Sequence, residues 1–333
     1  MKKLLNDPAR VVDEMVEGYV GAYPQYIRRL DSSPRALVRQ KLPPGKVGVV
    51  IGGGSGHEPG FMGYVGQGFA DGVAVGNIFA SPSPEPIVAV TEAVHQGAGV
   101  LYIYGNYAGD GMNFDMSAEL AAMSGIRTAT VRITDDVASA PADQAEKRRG
   151  IAGFVLLFKV AGAASDLGYN LEELAQVCAK ANDRTRTMGV ALSPCTLPQT
   201  GKPAFELAGD EMEIGLGIHG EPGMERGKLA TADEVAERLL TGILGELELS
   251  RGDRVAVLVN GLGSTTMMEL FVVFRKAAAT LTELGVSIHR SYVGEFVTSM
   301  EMGGCSITVM KLDDELARMI DHPADCPAFT QIQ

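Results

Sequence analysis

The sequence predicts an α/β protein of two α/β domains. The first is a mainly parallel sheet with helices on both faces, and the second is a smaller mixed α/β domain. Three observations carry this. Short β-branched runs recur, each followed by a glycine-rich turn and then by helical spacing, the grammar of parallel strands joined through helices packed on a sheet. The chain has 333 residues, 46% of them apolar, enough for two ordinary domains and a sizeable core. The texture changes around "TLPQTGKPAF" (196–205). The expected domains are therefore 1–190 and 191–333, with the C-terminal tail able to pack back on the first.

The elements follow in order. "DPARVVDEMVEGYVGAY" has a helix-like pattern and leads into a polar, proline-containing connection up to residue 45. "KVGVVI" (46–51) reads as a buried strand, because it is short, β-branched and bounded by glycine. "GVAVGNI" (72–78), "VLYIYG" (100–105) and "RTATVRI" (127–133) read the same way. "SPSPEPIVAVTEAVHQ" (81–96) places Ser and Pro at a helix start. "GNYAGDGMNFD" reads as a loop, and "MSAELAAMSG" (116–125) as a helix stopped by glycine. Residues 145–187 read as two helices and "MGVALSP" (188–194) as a strand. In the second domain, "EMEIGLGIH" (211–219) is strand-like and "TADEVAERLLTGILGEL" (231–247) is an amphipathic helix. "RVAVLVNGL" (254–262) is a strand and "TTMMELFVVFRKAAATLTELG" (265–285) a long helix. "VSIHRSYVG", "CSITVMKL" and a short helix at "DDELARMI" complete it.

Composition excludes several classes of function. A net charge of −12 argues against a nucleic-acid binder, which needs a basic face to neutralise phosphates. Cys178, Cys195, Cys305 and Cys326 are scattered, with no CxxC and no metal-ligand spacing, and read as reduced thiols. No apolar run approaches the ~20 residues of a membrane helix, and "MKKLLNDPARVV" lacks the apolar segment of a signal peptide. The chain is expected to be soluble and cytoplasmic.

Two loops stand out. "GGGSGHEPG" (52–60) follows a strand directly and places His57 among glycines, at the sheet edge where ligands bind in α/β proteins. Glycines there permit either a tight turn or close approach of a ligand to the backbone. A phosphate loop is absent, since the Gly-Lys pairs at Gly45, Gly201 and Gly227 are followed by Val, Pro and Leu. The dinucleotide pattern fits only loosely, because Pro59 stands where a helix should run. "GIHGEPGMERG" (217–227) places His219 in a similar setting. Its imidazole suits a nucleophile that adds to a carbonyl, a general base, a metal ligand or a surface histidine. No HxH, HxxxH or HExxH supplies companions for a metal. Asp110 follows a strand and suits a base, an acceptor for a polyhydroxylated ligand, or a turn residue. Asn113 and Asp115 suit helix caps, while Asp135 and Asp136 suit structural or rim roles. His95, His289 and His322 take ordinary structural roles.

At these residues the chain resembles the dihydroxyacetone kinases, specifically their K (substrate-binding) subunit. The matching segments are "MKKLLNDP", "GGGSGHEPGFMGYVGQG", "FASPSPEPI", "GNYAGDGMNF", "TDDVA", "RRGIAG", "EMEIGLGIHGEPG" and "MEMGGCSITVMKLDDE". The resemblance implies that His219 binds a short ketose covalently as a hemiaminal and that His57 is its acid–base partner. It implies that Gly54, Ser55, Gly56 and His57 contact the substrate and that Asp110 is a substrate-binding and catalytic residue. It also implies no cofactor on this chain, with Mg and ATP or ADP held by a separate nucleotide-binding L subunit. A phosphotransferase-system donor protein is a further implied partner, and a homodimer the implied assembly. Two departures bear on the substrate: Gly105 stands where some members have a lysine, and Gly60-Phe61 replaces a residue-plus-His pair. The alternatives are an erythrulose kinase subunit and a ketose-binding regulator without transferase activity.

Overall fold

The computed structural model describes residues 2–332. They form two compact units, each assembled from separate segments. One comprises 2–133, 155–180 and 318–332 and is called here the His57 unit; the other comprises 134–154 and 181–317 and is called the His219 unit.

The His57 unit opens with helix α1 (Val11–Ala22) and a hairpin, β1 (Ile27–Leu30) and β2 (Ser33–Arg39). β3 (Gly48–Ser55), β4 (Gly72–Ile78), α2 (Pro84–Val94), β5 (Val100–Gly105), α3 (Ala108–Met123) and β6 (Thr128–Ile133) follow. The six strands make one sheet in the order β1-β2-β4-β3-β5-β6. The four from β4 to β6 run parallel, and β1 and β2 join antiparallel at one edge. The mainly parallel sheet is thus as the sequence predicts.

β3 is buried at every position, which requires cover on both faces. One face packs Val50, Tyr102 and Tyr104 against Ile87 and Val90 of α2 and Phe114 of α3. α4 (Phe154–Asp166) belongs to the His57 unit from residue 155. Its Ser165 hydroxyl donates to the Val47 carbonyl at 2.5 Å, and a Cβ on Gly162 would stand 2.3 Å from the Phe69 nitrogen. Only glycine admits that approach. Residues 318–332 carry the end of α8 (Asp314–Asp321) and a small hairpin, β13 (Ala324–Cys326) and β14 (Phe329–Gln331). The buried Lys159 of α4 donates to the carbonyls of Met319 and His322, and so ties this tail to the unit.

In the His219 unit, β7 (Thr185–Ser193) follows α5 (Leu171–Asp183). β8 (Glu211–Ile214), β9 (Glu225–Lys228), α6 (Ala232–Leu244), β10 (Arg254–Gly261), α7 (Met267–Glu283), β11 (Ser287–Glu295) and β12 (Gly303–Leu312) complete it. The sheet order is β11-β10-β12-β7-β8-β9, with only β10 and β11 parallel. α6 and α7 each start in a capping box, Thr231 with Glu234 and Thr266 with Glu269. Their apolar stripes, including Leu239, Leu240, Ile243, Leu270 and Leu281, pack on Val255, Val257 and Val259 of β10. Each such side chain contributes roughly 1.5–3 kcal/mol by leaving water.

Four expectations are revised. The division is not a single cut at 190, because β7 pairs with β12 over eight residue positions and so belongs to the second sheet. The connection before residue 45 contains the hairpin β1–β2. "GNYAGDGMNFD" is mostly helix, since α3 begins at Ala108. The strand expected over 211–219 ends at Ile214.

Candidate active site

The carboxyl ends of β3 and β5 position the candidate residues of the His57 unit. β3 continues through the glycine triplet because side chains there would collide with packed protein. A Cβ on Gly53 would lie 2.2 Å from the Phe61 ring, and one on Gly54 2.7 Å from the Ala80 nitrogen. The triplet is therefore a strand stripped for close packing. Ser55 closes it, its hydroxyl donating to the Gly76 carbonyl at 2.7 Å. Gly56 then turns the chain with φ +95°, a conformation suited to glycine, and its N–H donates to the Glu58 carboxylate at 3.0 Å.

His57 is 1% exposed. Its ring stacks on Phe79 at 5.0 Å between centroids and meets Phe61 edge-on at 6.2 Å. The open glycine setting read from the sequence is replaced by an aromatic clamp. Phe79 holds its place at φ +54°, a left-handed conformation costly for a bulky residue, with its N–H donating to the Ser55 carbonyl at 3.0 Å.

Gly105 ends β5 and is buried; the Tyr107 N–H donates to its carbonyl at 2.8 Å. α3 starts one residue later, which puts Asp110 in its first turn, 8% exposed. A carboxylate there faces the positive end of the helix dipole. Asn113 lies inside α3 rather than at a cap, and donates to the Ser81 hydroxyl and the Pro82 carbonyl. Asp115 pairs with Arg132 at 2.7 Å. His57 and Asp110 thus follow adjacent parallel strands of one sheet.

The His219 loop leaves β8 through Gly215, at φ +78°. Glu213 anchors its return, accepting from the Gly223 N–H at 2.7 Å and from Arg226. Buried Ser299 donates its hydroxyl to the Ile218 carbonyl. His219 is held by Glu221 twice: its backbone N–H donates to Oε2 at 2.9 Å, and Nδ1 stands 2.8 Å from Oε1. An ionised carboxylate only accepts, so the proton of the second bond belongs to Nδ1 and the neutral ring carries its lone pair on Nε2. Burial pushes the Glu221 carboxyl up, but the bond from His219, the charge of that ring whenever it is protonated, and Arg149 hold it down at about 2. Arg149 in turn grips Asp136.

Residues 17–328 match the Dak1 domain. The chain belongs to the Dak1 domain family. It is 48% identical over 330 residues to the Listeria innocua PTS-dependent dihydroxyacetone kinase 2, dihydroxyacetone-binding subunit DhaK, covering 99% of each chain. It is also 48% identical to the D-erythrulose kinase of Mycolicibacterium smegmatis, but covers only 56% of that protein. Among solved structures, the native dihydroxyacetone kinase of C. freundii superposes with a TM-score of 0.91 at 32% identity, over 99% of this chain and 60% of that one.

Within this Dak1 domain, His57, Gly54, Ser55, Gly56, Gly105 and Asp110 all fall in the His57 unit, and His219 in the other. The sequence reading assigned no role to Glu221, Phe79 or Arg149. A signal for Glu221 was present, since a glutamate follows each loop histidine closely, in "GHEPG" and "GIHGEPG". Asp135 is fully buried and accepts from the N–H groups of Ile151 and Gly153 at 2.9 and 2.8 Å, a structural role. Among the described residues, no group of three or more His, Cys, Asp or Glu side chains is placed to hold a metal ion.

Proposed function

We propose that this chain is the substrate-binding catalytic subunit of a short-ketose kinase of the dihydroxyacetone type. The observation that carries the reading is the His219–Glu221 pair, in a family whose relatives include dihydroxyacetone-binding subunits. The lone pair on Nε2 adds to the ketone carbon. The Nε2–C bond forms as the carbonyl π bond breaks, its oxygen takes a proton, and the Nδ1 proton is released or stays bound against Glu221. A hemiaminal needs a carbonyl, so the site takes a ketose and rejects glycerol. Asp110 and His57 are the acid–base groups: one removes the proton of the acceptor hydroxyl as its oxygen attacks phosphorus and the bond to the donor breaks.

The Asp135–Asp136 pair is occupied by backbone N–H groups and Arg149, so it is not offered as the seat of a magnesium nucleotide. The phosphoryl donor is assigned to a nucleotide-binding L subunit carrying Mg with ATP or ADP, itself open to recharging by a phosphotransferase-system protein. The expected assembly is a cytoplasmic homodimer.

Erythrulose is the second substrate reading, favoured by the identity to the D-erythrulose kinase and by Phe61, whose ring fills the space above Gly53 and abuts His57. A ketose-binding regulator is the reading suggested by the structural likeness to a dihydroxyacetone kinase operon co-activator, at 30% identity and TM-score 0.89. The test is reconstitution. The purified chain with MgATP and dihydroxyacetone or erythrulose should form no sugar phosphate alone and should form it when an L subunit is added. Inactivity with every cognate L subunit and both ketoses would overturn the enzymatic reading.

A further inference from the structure

We propose that Asp136, Arg149 and Glu221 form a positioning chain that fixes the tautomer and orientation of His219, and so decides which ring nitrogen meets the ketone. The proposal deepens the reading above and rests on it for the nature of the electrophile.

The chain runs from a buried anchor to a partly open loop. Asp136 is 1% exposed, and its Oδ1 accepts the Ala138 N–H at 3.1 Å. Its Oδ2 takes two donors from Arg149, Nε at 2.9 Å and Nη2 at 2.8 Å. Two contacts to one oxygen, together with Nη2 donating to the Gly215 carbonyl at 3.4 Å, leave the guanidinium little freedom. Its third nitrogen, Nη1, lies 3.8 Å from Glu221 Oε2, the oxygen that also accepts the His219 backbone N–H. Oε1 is thereby aimed at Nδ1. The Arg149 cation stands behind Glu221, so ring charge developing at His219 during addition meets a carboxylate braced from behind. The backbone is shaped to admit this arrangement: a Cβ on Gly217 would lie 2.3 Å from Glu221 Oε2 and 2.5 Å from Arg149 Nη1.

The chemistry explains why a nucleophile needs the chain. A solvated neutral imidazole favours the Nε2–H form, whose lone pair is on Nδ1. Oriented carboxylates reverse that preference and fix the ring; where the histidine ligates a metal, losing such a partner costs roughly 10–100-fold, the scale taken here. The low position of the Glu221 carboxyl, about 2, keeps it an acceptor throughout the working range.

The test reads the tautomer directly. Long-range proton–nitrogen NMR of histidine-labelled protein without ketose should show His219 protonated at Nδ1. In Glu221→Leu it should shift toward the Nε2–H form, and the ketose adduct seen by intact mass should fall roughly 10–100-fold. Glu221→Gln retains an acceptor and should restore the tautomer and much of the adduct. Asp136→Asn should weaken both readouts in the otherwise unchanged protein and add nothing in the Glu221→Leu background, because it acts through Glu221. An unchanged tautomer and adduct in Glu221→Leu would overturn the proposal. So would an Asp136→Asn effect that adds fully to that of Glu221→Leu. Absence of any adduct in the unaltered protein would instead count against the ketose reading, and the tautomer measurement would still decide the chain.

Discussion

Gly217 shows how much of the site rests on a missing side chain. It touches no substrate in the proposed scheme, yet its Cβ position is occupied by the carboxylate and guanidinium that brace His219. Gly217→Ala should part Glu221 from Arg149 and lower adduct yield severalfold, with the fold intact by circular dichroism. Normal yield would show that the loop adjusts freely. Asp110 makes a sharper distinction, between capture and transfer. Asp110→Asn keeps size and hydrogen bonding but removes the base. It should still form the adduct, yet lose turnover with saturating partner by roughly 10²–10⁴. Near-normal turnover would make Asp110 a helix-start residue and leave His57 as the base. Glu221 also carries a pH signature. Its folded pKa lies below the ordinary 4.5, at about 2. The group therefore stabilises the fold above pH 4.5, and that contribution is lost as pH falls toward 2. The stability difference between the protein and Glu221→Gln, by urea titration, should shrink steadily below pH 4.5. A difference that grows on acidification would contradict the assigned environment.

At the scale of elements, β3 leads into the His57 loop, and the start of that strand is fixed by a buried charge cluster. Asp71 is fully buried and accepts from the Val49 N–H at 2.9 Å, from Lys46 at 3.0 Å and from Arg39 at 3.1 Å. Asp71→Ala would leave Lys46 and Arg39 with Asp166 as their remaining carboxylate and take the acceptor from the Val49 N–H, and should cost about 1–3 kcal/mol in urea unfolding. A cost under 1 kcal/mol would show that water repairs the site. The valines and isoleucine of β3 were legible because β-branched runs between glycines have few other uses. Its extension through Gly52–Ser55 was not, since glycine has no strand preference and it is pairing with β4 that holds this stretch extended. The start of α3 was masked by glycines and an asparagine. β1 and β2 were hidden by "RRLDSSPR", whose charges suit a partly exposed hairpin at a sheet edge.

At the scale of the molecule, His57, Asp110 and His219 were legible as individual residues because loop histidines and strand-end carboxylates are scarce in this chain, and their roles came with the family resemblance. The two-unit organisation was only partly legible. Local patterns announce strands but not the sheet they join, and β7 crosses from the expected first domain to the second sheet for that reason. Glu221 and Arg149 were passed over because their partners, His219 and Asp136, become neighbours only through the turn at Gly217–Gly220 and the return of the chain at 149. The central claim is that His219 captures the ketose covalently. The most direct measurement is intact mass after incubation with dihydroxyacetone or erythrulose, without reductant. The account predicts a gain of about one ligand per chain, reversed by mild acid and absent in folded His219→Ala. An adduct of undiminished yield in His219→Ala would contradict it.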